Sequence, residues 1–147
     1  MEIQSDFKEL LELFNKQQVE YLIVGGYALA FHGVPRATGD LDLWIRPVAE
    51  NARRLLQALA LFGFDAVGLS EGDFTSEGKV VQLGVPPVRI DLLTSLSGVT
   101  WEQAAANRRS GTLGGQPVEF IGRSDFIANK KATGRTRDLA DLEALGA

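Results

Sequence analysis

The chain has 147 residues, of which 45% are hydrophobic and 23% charged, and its net charge is −4. That length suits one domain burying its own core, and that mix excludes long intrinsic disorder. There is no cysteine, which excludes disulfides, thiolate metal sites and cysteine nucleophiles and suits a reducing cytoplasm. No apolar run reaches membrane-spanning length. The start, Met1-Glu2-Ile3-Gln4-Ser5-Asp6, lacks the basic segment of a secretory leader. The acidic balance argues against duplex nucleic acid as the main partner. The charge is uneven, however. Residues 1–50 hold eight acids against four bases, whereas residues 108–137 carry Arg108, Arg109, Arg123, Lys130, Lys131, Arg135 and Arg137 against only Glu119 and Asp125. An acidic front and a basic rear suggest an anion held between metals and cations.

In chain order, Ser5 reads as an N-cap. Phe7, Leu10, Leu11, Leu13 and Phe14 recur at helical spacing, so residues 6–18 form an amphipathic helix. Tyr21 to Val24 is a short β-rich apolar run, a buried strand. Gly25-Gly26 breaks it, and Tyr27 to Phe31 is a short helix that Gly33-Val34-Pro35 ends. Leu41 to Ile45 is a second strand. Residues 48–62 are a helix with Leu55, Leu56, Leu59 and Phe62 on its buried side. Phe64 to Gly68 suggests a short strand, and residues 69–78 a loop. Val80 to Leu83 and Val88 to Leu93 are strands joined through Gly84-Val85-Pro86-Pro87, because proline cannot donate to a ladder. Thr100 with Gln103 makes a capping box for a helix near 101–109. Thr112-Leu113 and Val118 to Ile121 flank a Gly114-Gly115 turn as a hairpin. Ser124 caps a helix near 125–133, Gly134 interrupts it, and a last helix runs near 136–145. Together these elements predict an α/β (α+β) domain over residues 1–147, a mixed sheet flanked by helices.

The chemistry concentrates in Gly39-Asp40-Leu41-Asp42-Leu43-Trp44-Ile45. Side chains of a strand alternate between faces. Leu41, Leu43 and Ile45 therefore share the core face, and Asp40, Asp42 and Trp44 share the other. The two carboxylates lie about 7 Å apart along the strand. In Val88 to Leu93 the same rule sends Val88, Ile90 and Leu92 to the core and Arg89, Asp91 and Leu93 away from it. If the two strands are neighbours, Asp91 joins Asp40 and Asp42. Three carboxylates on one face raise one another's pKa values or need a cation. Hard oxygen donors with no histidine or cysteine beside them select Mg²⁺ or Mn²⁺ over zinc. Any one of these aspartates alone reads as a solvated strand position, and an isolated Asp-x-Asp is a weak signal. Val24-Gly25-Gly26-Tyr27 is a strand, a glycine pair and a helix start. It reads either as a tight turn or as a place where phosphate approaches the backbone.

The combination resembles the signature of the nucleotidyltransferase (polymerase-β-like) superfamily. Val24-Gly25-Gly26 is followed, after thirteen intervening residues, by Asp40-Leu41-Asp42-Leu43, with a third carboxylate in Arg89-Ile90-Asp91-Leu92. The lead-in Arg36-x-Thr38-x-Asp40 resembles small bacterial members grouped with abortive-infection and toxin–antitoxin systems. So does the rear, from Asn129-Lys130-Lys131 through Arg135 to Arg137-Asp138-Leu139-Ala140-Asp141-Leu142. The resemblance spans residues 20–145. It implies a nucleotidyltransferase fold and metal-dependent transfer of a nucleoside monophosphate from a nucleoside triphosphate to a hydroxyl, with pyrophosphate leaving. It assigns Asp40, Asp42 and Asp91 as catalytic metal ligands, with Asp91 nearest the attacking hydroxyl. It assigns Gly25, Gly26, Arg36, Thr38 and Lys130 to phosphate, and Mg²⁺ or Mn²⁺ as cofactor. It implies a protein, tRNA or small-molecule acceptor and a cognate toxin or antitoxin as a candidate partner. Little chain follows the last predicted helix, so the acceptor side is expected to be open or completed by another subunit in an oligomer.

Adjacent lysines on a helix point about 100° apart, so only one of Lys130 and Lys131 faces the site. Asp138 and Asp141 read as ion-pair partners of Arg135 or Arg137. His32 reads as structural or as rim. Trp44 either stacks on a base or fills space under a helix, and Trp101 is core or interface. A catalytically inactive binding module of the same fold is the competing reading. A glycosyltransferase using Asp-x-Asp is a weaker third, because such domains are larger.

Overall fold

The computed structural model describes residues 3–35, 39–64 and 68–147. Its six strands are β1 (Tyr21–Val24), β2 (Asp40–Ile45), β3 (Val80–Leu83), β4 (Arg89–Leu93), β5 (Arg109–Leu113) and β6 (Gln116–Phe120). They form one mixed sheet in the order β3-β4-β2-β1-β6-β5. β2 runs parallel to β4 and antiparallel to β1, β1 runs parallel to β6, and the pairs β3–β4 and β5–β6 are antiparallel. The helices are α1 (Ser5–Lys16), α2 (Gly25–Phe31), α3 (Ala49–Phe62), α4 (Trp101–Ala106), α5 (Arg123–Thr133) and α6 (Thr136–Leu145). This is the expected mixed sheet flanked by helices. Among the described residues no helix is long and apolar enough to cross a membrane.

Alternation organises the two sheet faces. Leu41, Leu43, Ile45, Ile90 and Leu92 are wholly buried. The first three helices cover that face. Phe7, Leu10, Leu11 and Phe14 of α1 have no exposed surface, and Phe14 packs edge-on against Tyr21 at 5.6 Å. Phe31 at the end of α2 stacks on Phe120 of β6, with centroids 4.1 Å apart. On α3, Leu55 and Leu59 are buried, whereas Leu56 and Phe62 are only partly so. The opposite face carries the carboxylates, with α4, α5 and α6 beside it. There Trp101 of α4 meets Trp44 edge-on at 5.3 Å. Trp44 is 1% exposed, and its indole N–H has no hydrogen-bond partner among the described residues. It fills space under a helix, and burying a ring of this size outweighs one unsatisfied donor.

Element ends depart from the sequence reading for local reasons. Ser5 lies inside α1, whose N-cap is Gln4, and α5 is capped by Gly122 rather than Ser124. Neither Gln4 nor Gly122 makes a side-chain cap hydrogen bond. The glycine pair opens α2 instead of preceding it. α4 stops at Ala106, because residues 109–113 are drawn into β5, the edge strand of the hairpin. Thr100 caps α4 as expected, accepting a hydrogen bond from the Gln103 N–H at 3.2 Å. The loop at 69–78 contains a 3₁₀ turn, Glu71–Phe74. Of the expected strand at Phe64 to Gly68, residues 65–67 lie outside the described residues.

Candidate active site

The parallel ladder between β2 and β4 sets Asp40 opposite Arg89 and Asp42 opposite Asp91. Neighbouring strands lie about 4.8 Å apart, so three carboxylates and one guanidinium occupy the corners of a small square on one face. Asp91, some fifty residues downstream of the Asp-x-Asp pair, therefore meets it as expected.

Asp42 is the most perturbed member. Its pKa is raised from 3.8 to about 7, mainly because it is buried, then by the charges of Asp91 and Asp40 and by a hydrogen bond shared with Asp91. The positive charge of Lys130 opposes the rise. A carboxyl in this position holds its proton near neutrality unless a cation replaces it. Arg89, which alternation sets on the carboxylate face, joins the cluster directly. It forks onto Asp91, donating from Nε to Oδ1 at 3.3 Å and from Nη2 to Oδ2 at 3.2 Å, and its Nε lies 3.7 Å from Asp40 Oδ2. The signal was present in Arg89-Ile90-Asp91, since i and i+2 share a strand face.

Gly25, the first residue of α2 directly after β1, closes the square. Its φ is +68°, the left-handed region, and a Cβ placed there would strike Asp42 Oδ2. Gly25→Ala is therefore expected to cost about 1–2 kcal/mol and to push the Asp42 carboxyl out of place. A urea melt reads the first effect.

The square, Gly25 and Gly26 form one wall of a cavity of about 590 Å³, and Asn129, Lys130, Arg135, Arg137 and Asp141 form the other. Lys130 faces the carboxylates, while Lys131 is exposed. The Lys130 side chain is only 13% exposed, and its Nζ lies 3.3 Å from Asp138 Oδ1 and 3.7 Å from Asp141 Oδ2. Asp138 is wholly buried. It also accepts from Thr133 Oγ1 at 2.7 Å, from the Arg135 backbone N–H at 3.1 Å and from Arg135 Nε at 2.7 Å. These donors, Arg135 first, hold its pKa far below the ordinary carboxylate range. Arg135 is thus the expected partner of Asp138. Lys130 is a further one, joining both aspartates across the α5–α6 turn. Arg36 and Thr38 lie outside the described residues. His32 ties the end of α2 to β6, with Nε2 donating to the Ile121 carbonyl at 2.7 Å, which is a structural role.

A second cavity of about 470 Å³ lies at the other end of β1. Its carboxylates are already engaged, Glu20 by Arg46 at 3.0 Å and Glu119 by Ser110 at 2.9 Å. It holds none of the residues of the carboxylate site.

Among the described residues no three histidine, cysteine or acidic side chains are already arranged to hold a metal ion. The donor chemistry of the square nonetheless fits a hard divalent cation. It offers three carboxylates and no softer ligand, and burial and the neighbouring charges of Asp91 and Asp40 destabilise Asp42 as an anion. What separates this arrangement from a cage is the Arg89 fork on Asp91 and the hydrogen bond between Asp42 and Asp91.

No protein-family model and no curated protein matches the chain. Solved structures do resemble it. A Thermotoga maritima protein assigned as a nucleotidyltransferase superposes with a TM-score of 0.63 at 12% identity, over 93% of this chain and 88% of that one. ANT(2'')-Ia, solved with adenylyl-2''-tobramycin, gives 0.61 at 14% identity, over 96% and 86%. The lincosamide antibiotic adenylyltransferase LnuA, bound to lincomycin, gives 0.58 at 12% identity, over 99% and 97%. The arrangement of strands and helices is shared along nearly the whole of each chain, and the fold of this protein is the nucleotidyltransferase fold.

Proposed function

We propose that the protein is a nucleotidyltransferase, moving a nucleoside monophosphate from a nucleoside triphosphate to a hydroxyl acceptor. The observation that carries this reading is the convergence of Asp40, Asp42 and Asp91 on one sheet face, beside a glycine that only Gly satisfies and opposite a cationic wall. In the reaction, a bond forms between the acceptor oxygen and the α-phosphorus, the bond to the bridging oxygen breaks, and pyrophosphate leaves with its electron pair. Mg²⁺ or Mn²⁺, when bound, supplies charge to the attacking and leaving oxygens. Asp40 and Asp42 are the residues that would hold it, with Asp91 on the side of the acceptor. Asp91 is placed to take the hydroxyl proton, directly or through water. The backbone at Gly25 and Gly26 receives phosphate oxygens. Lys130, with Arg36 and Thr38, binds the triphosphate; Lys130 acts as a point charge and Arg36 as a planar fork.

The solved neighbours include enzymes that adenylylate antibiotics, and a small hydroxylated molecule is the acceptor class they favour for this chain. A protein side chain or a tRNA end remains an acceptor for the same chemistry. The test is incubation with labelled nucleoside triphosphates, Mn²⁺ or Mg²⁺ and candidate acceptors, with and without Asp42→Asn. Label transfer and pyrophosphate release that depend on Asp42 support the reading. One observation favours a second reading, a nucleotide-binding module without turnover acting as one half of a toxin–antitoxin pair: the carboxylates are tied up by Arg89 and by one another. Nucleotide held tightly with no pyrophosphate released would establish that module instead.

A further inference from the structure

Three acidic side chains on adjacent strands repel one another, yet the square is compact. Its fourth corner explains why. Arg89 lies across from Asp40 on the neighbouring strand and two residues before Asp91 on its own, so one guanidinium reaches both carboxylates. The two parallel donations to Asp91 give the bidentate geometry in which arginine binds carboxylate most strongly. The Asp91 side chain is 13% exposed, so water screens this contact less than an open surface pair. Arg89 itself is about one-third exposed and lines the cavity beside the carboxylates.

We infer that Arg89 is a resident counter-ion that holds the Asp40–Asp42–Asp91 cluster together while no divalent cation is bound and must release Asp91 before one can bind. This inference rests on the nucleotidyltransferase reading of the same site. Its physical content is competition. The oxygens that accept from Arg89 are the oxygens a hard cation needs, and a carboxylate oxygen pointed into a guanidinium fork is not free to turn toward a metal. Arg89 thereby stabilises the empty protein and weakens its hold on the ion. It also ties cation entry to a side-chain movement rather than to a rearrangement of the sheet.

The test uses the full chain and Mn²⁺ alone as the probe, followed by calorimetry or by the loss of the free-ion electron paramagnetic resonance signal. Arg89→Met keeps an unbranched apolar stem and removes the charge and the donors. Mn²⁺ is expected to bind it about tenfold more tightly than wild type, while the metal-free melting temperature falls. Arg89→Lys keeps the charge and loses the fork, and both values should lie between. Mn²⁺ affinity unchanged or weaker in both variants, with their circular dichroism intact, overturns the inference. So does a metal-free melting temperature that rises in Arg89→Met. If wild type binds Mn²⁺ and turns over nucleotide but the variants bind no better, the inference alone fails. If neither wild type nor Arg89→Met takes up Mn²⁺, both it and the catalytic reading fail.

Discussion

Asp42→Asn is expected to abolish nucleotide transfer while making the metal-free protein more stable at neutral pH. The two effects have one cause. Asp42 is buried among like charges, and its pKa stands at about 7 instead of 3.8. The sign of the linkage follows. Between about pH 4 and pH 7 the unfolded chain has released this proton while the folded protein keeps it, so stability falls as the pH rises. The slope from this single group is at most about 1.4 kcal/mol for each pH unit. Asparagine has no proton to lose and can still hydrogen-bond Asp91. In thermal melts from pH 4.5 to pH 8 without divalent ions, the wild-type melting temperature should decline toward neutrality, and the Asp42→Asn curve should be flatter and cross above it. Added Mn²⁺ should raise the wild-type value at pH 8 and leave the variant unmoved. A variant that melts below wild type throughout would mean that the Asp42 carboxyl is a structural acceptor and not a stored repulsion. Asp138 behaves in the opposite sense. Its pKa is depressed, so its contribution is present above about pH 4 and is lost only on further acidification.

Lys130→Met should produce the largest loss of stability of any substitution in the cavity wall, about 3 kcal/mol in urea denaturation. Lys130 lies between two aspartates that are almost entirely buried, Asp138 and Asp141. Removing the cation leaves their charges in a poorly solvated place. Asp138 retains the Arg135 fork, and Asp141 loses the Lys130 contact at 3.7 Å. The double variant Lys130→Met/Asp141→Asn should therefore be destabilised by less than the sum of its parts, with a coupling of about 1 kcal/mol or more. Nucleotide affinity separates the structural role from the binding role. If Lys130 also holds the triphosphate, the double variant regains stability without regaining affinity. Regain of both would confine Lys130 to tying α5 to α6.

The strands at 21–24 and 80–83 match the structure residue for residue, because a short apolar run between glycine, proline or polar breakers admits little else. Alternation placed Leu41, Leu43, Ile45, Ile90 and Leu92 on one face and Asp40, Asp42 and Asp91 on the other, and the burial pattern follows it. The pairing of Asp138 with Arg135 was also legible, because i and i+3 are neighbours on a helix surface. These are local properties: period, spacing and turn chemistry travel with the chain.

What tertiary structure alone decided is what lies across from what. The register that sets Arg89 against Asp40, and Asp42 against Asp91, is a property of two strands separated by a helix, a 3₁₀ turn and a hairpin, and no spacing in the sequence encodes it. Both carboxylate partners of Lys130, Asp138 and Asp141, are reached because α6 folds back beside α5. The charge state of Asp42 is decided in the same way, since burial and neighbouring carboxylates perturb a pKa only when folding brings them together. By itself the sequence determined which side chains face the same way. The fold determined which of them meet, because electrostatic coupling depends on distances through space that only packing sets.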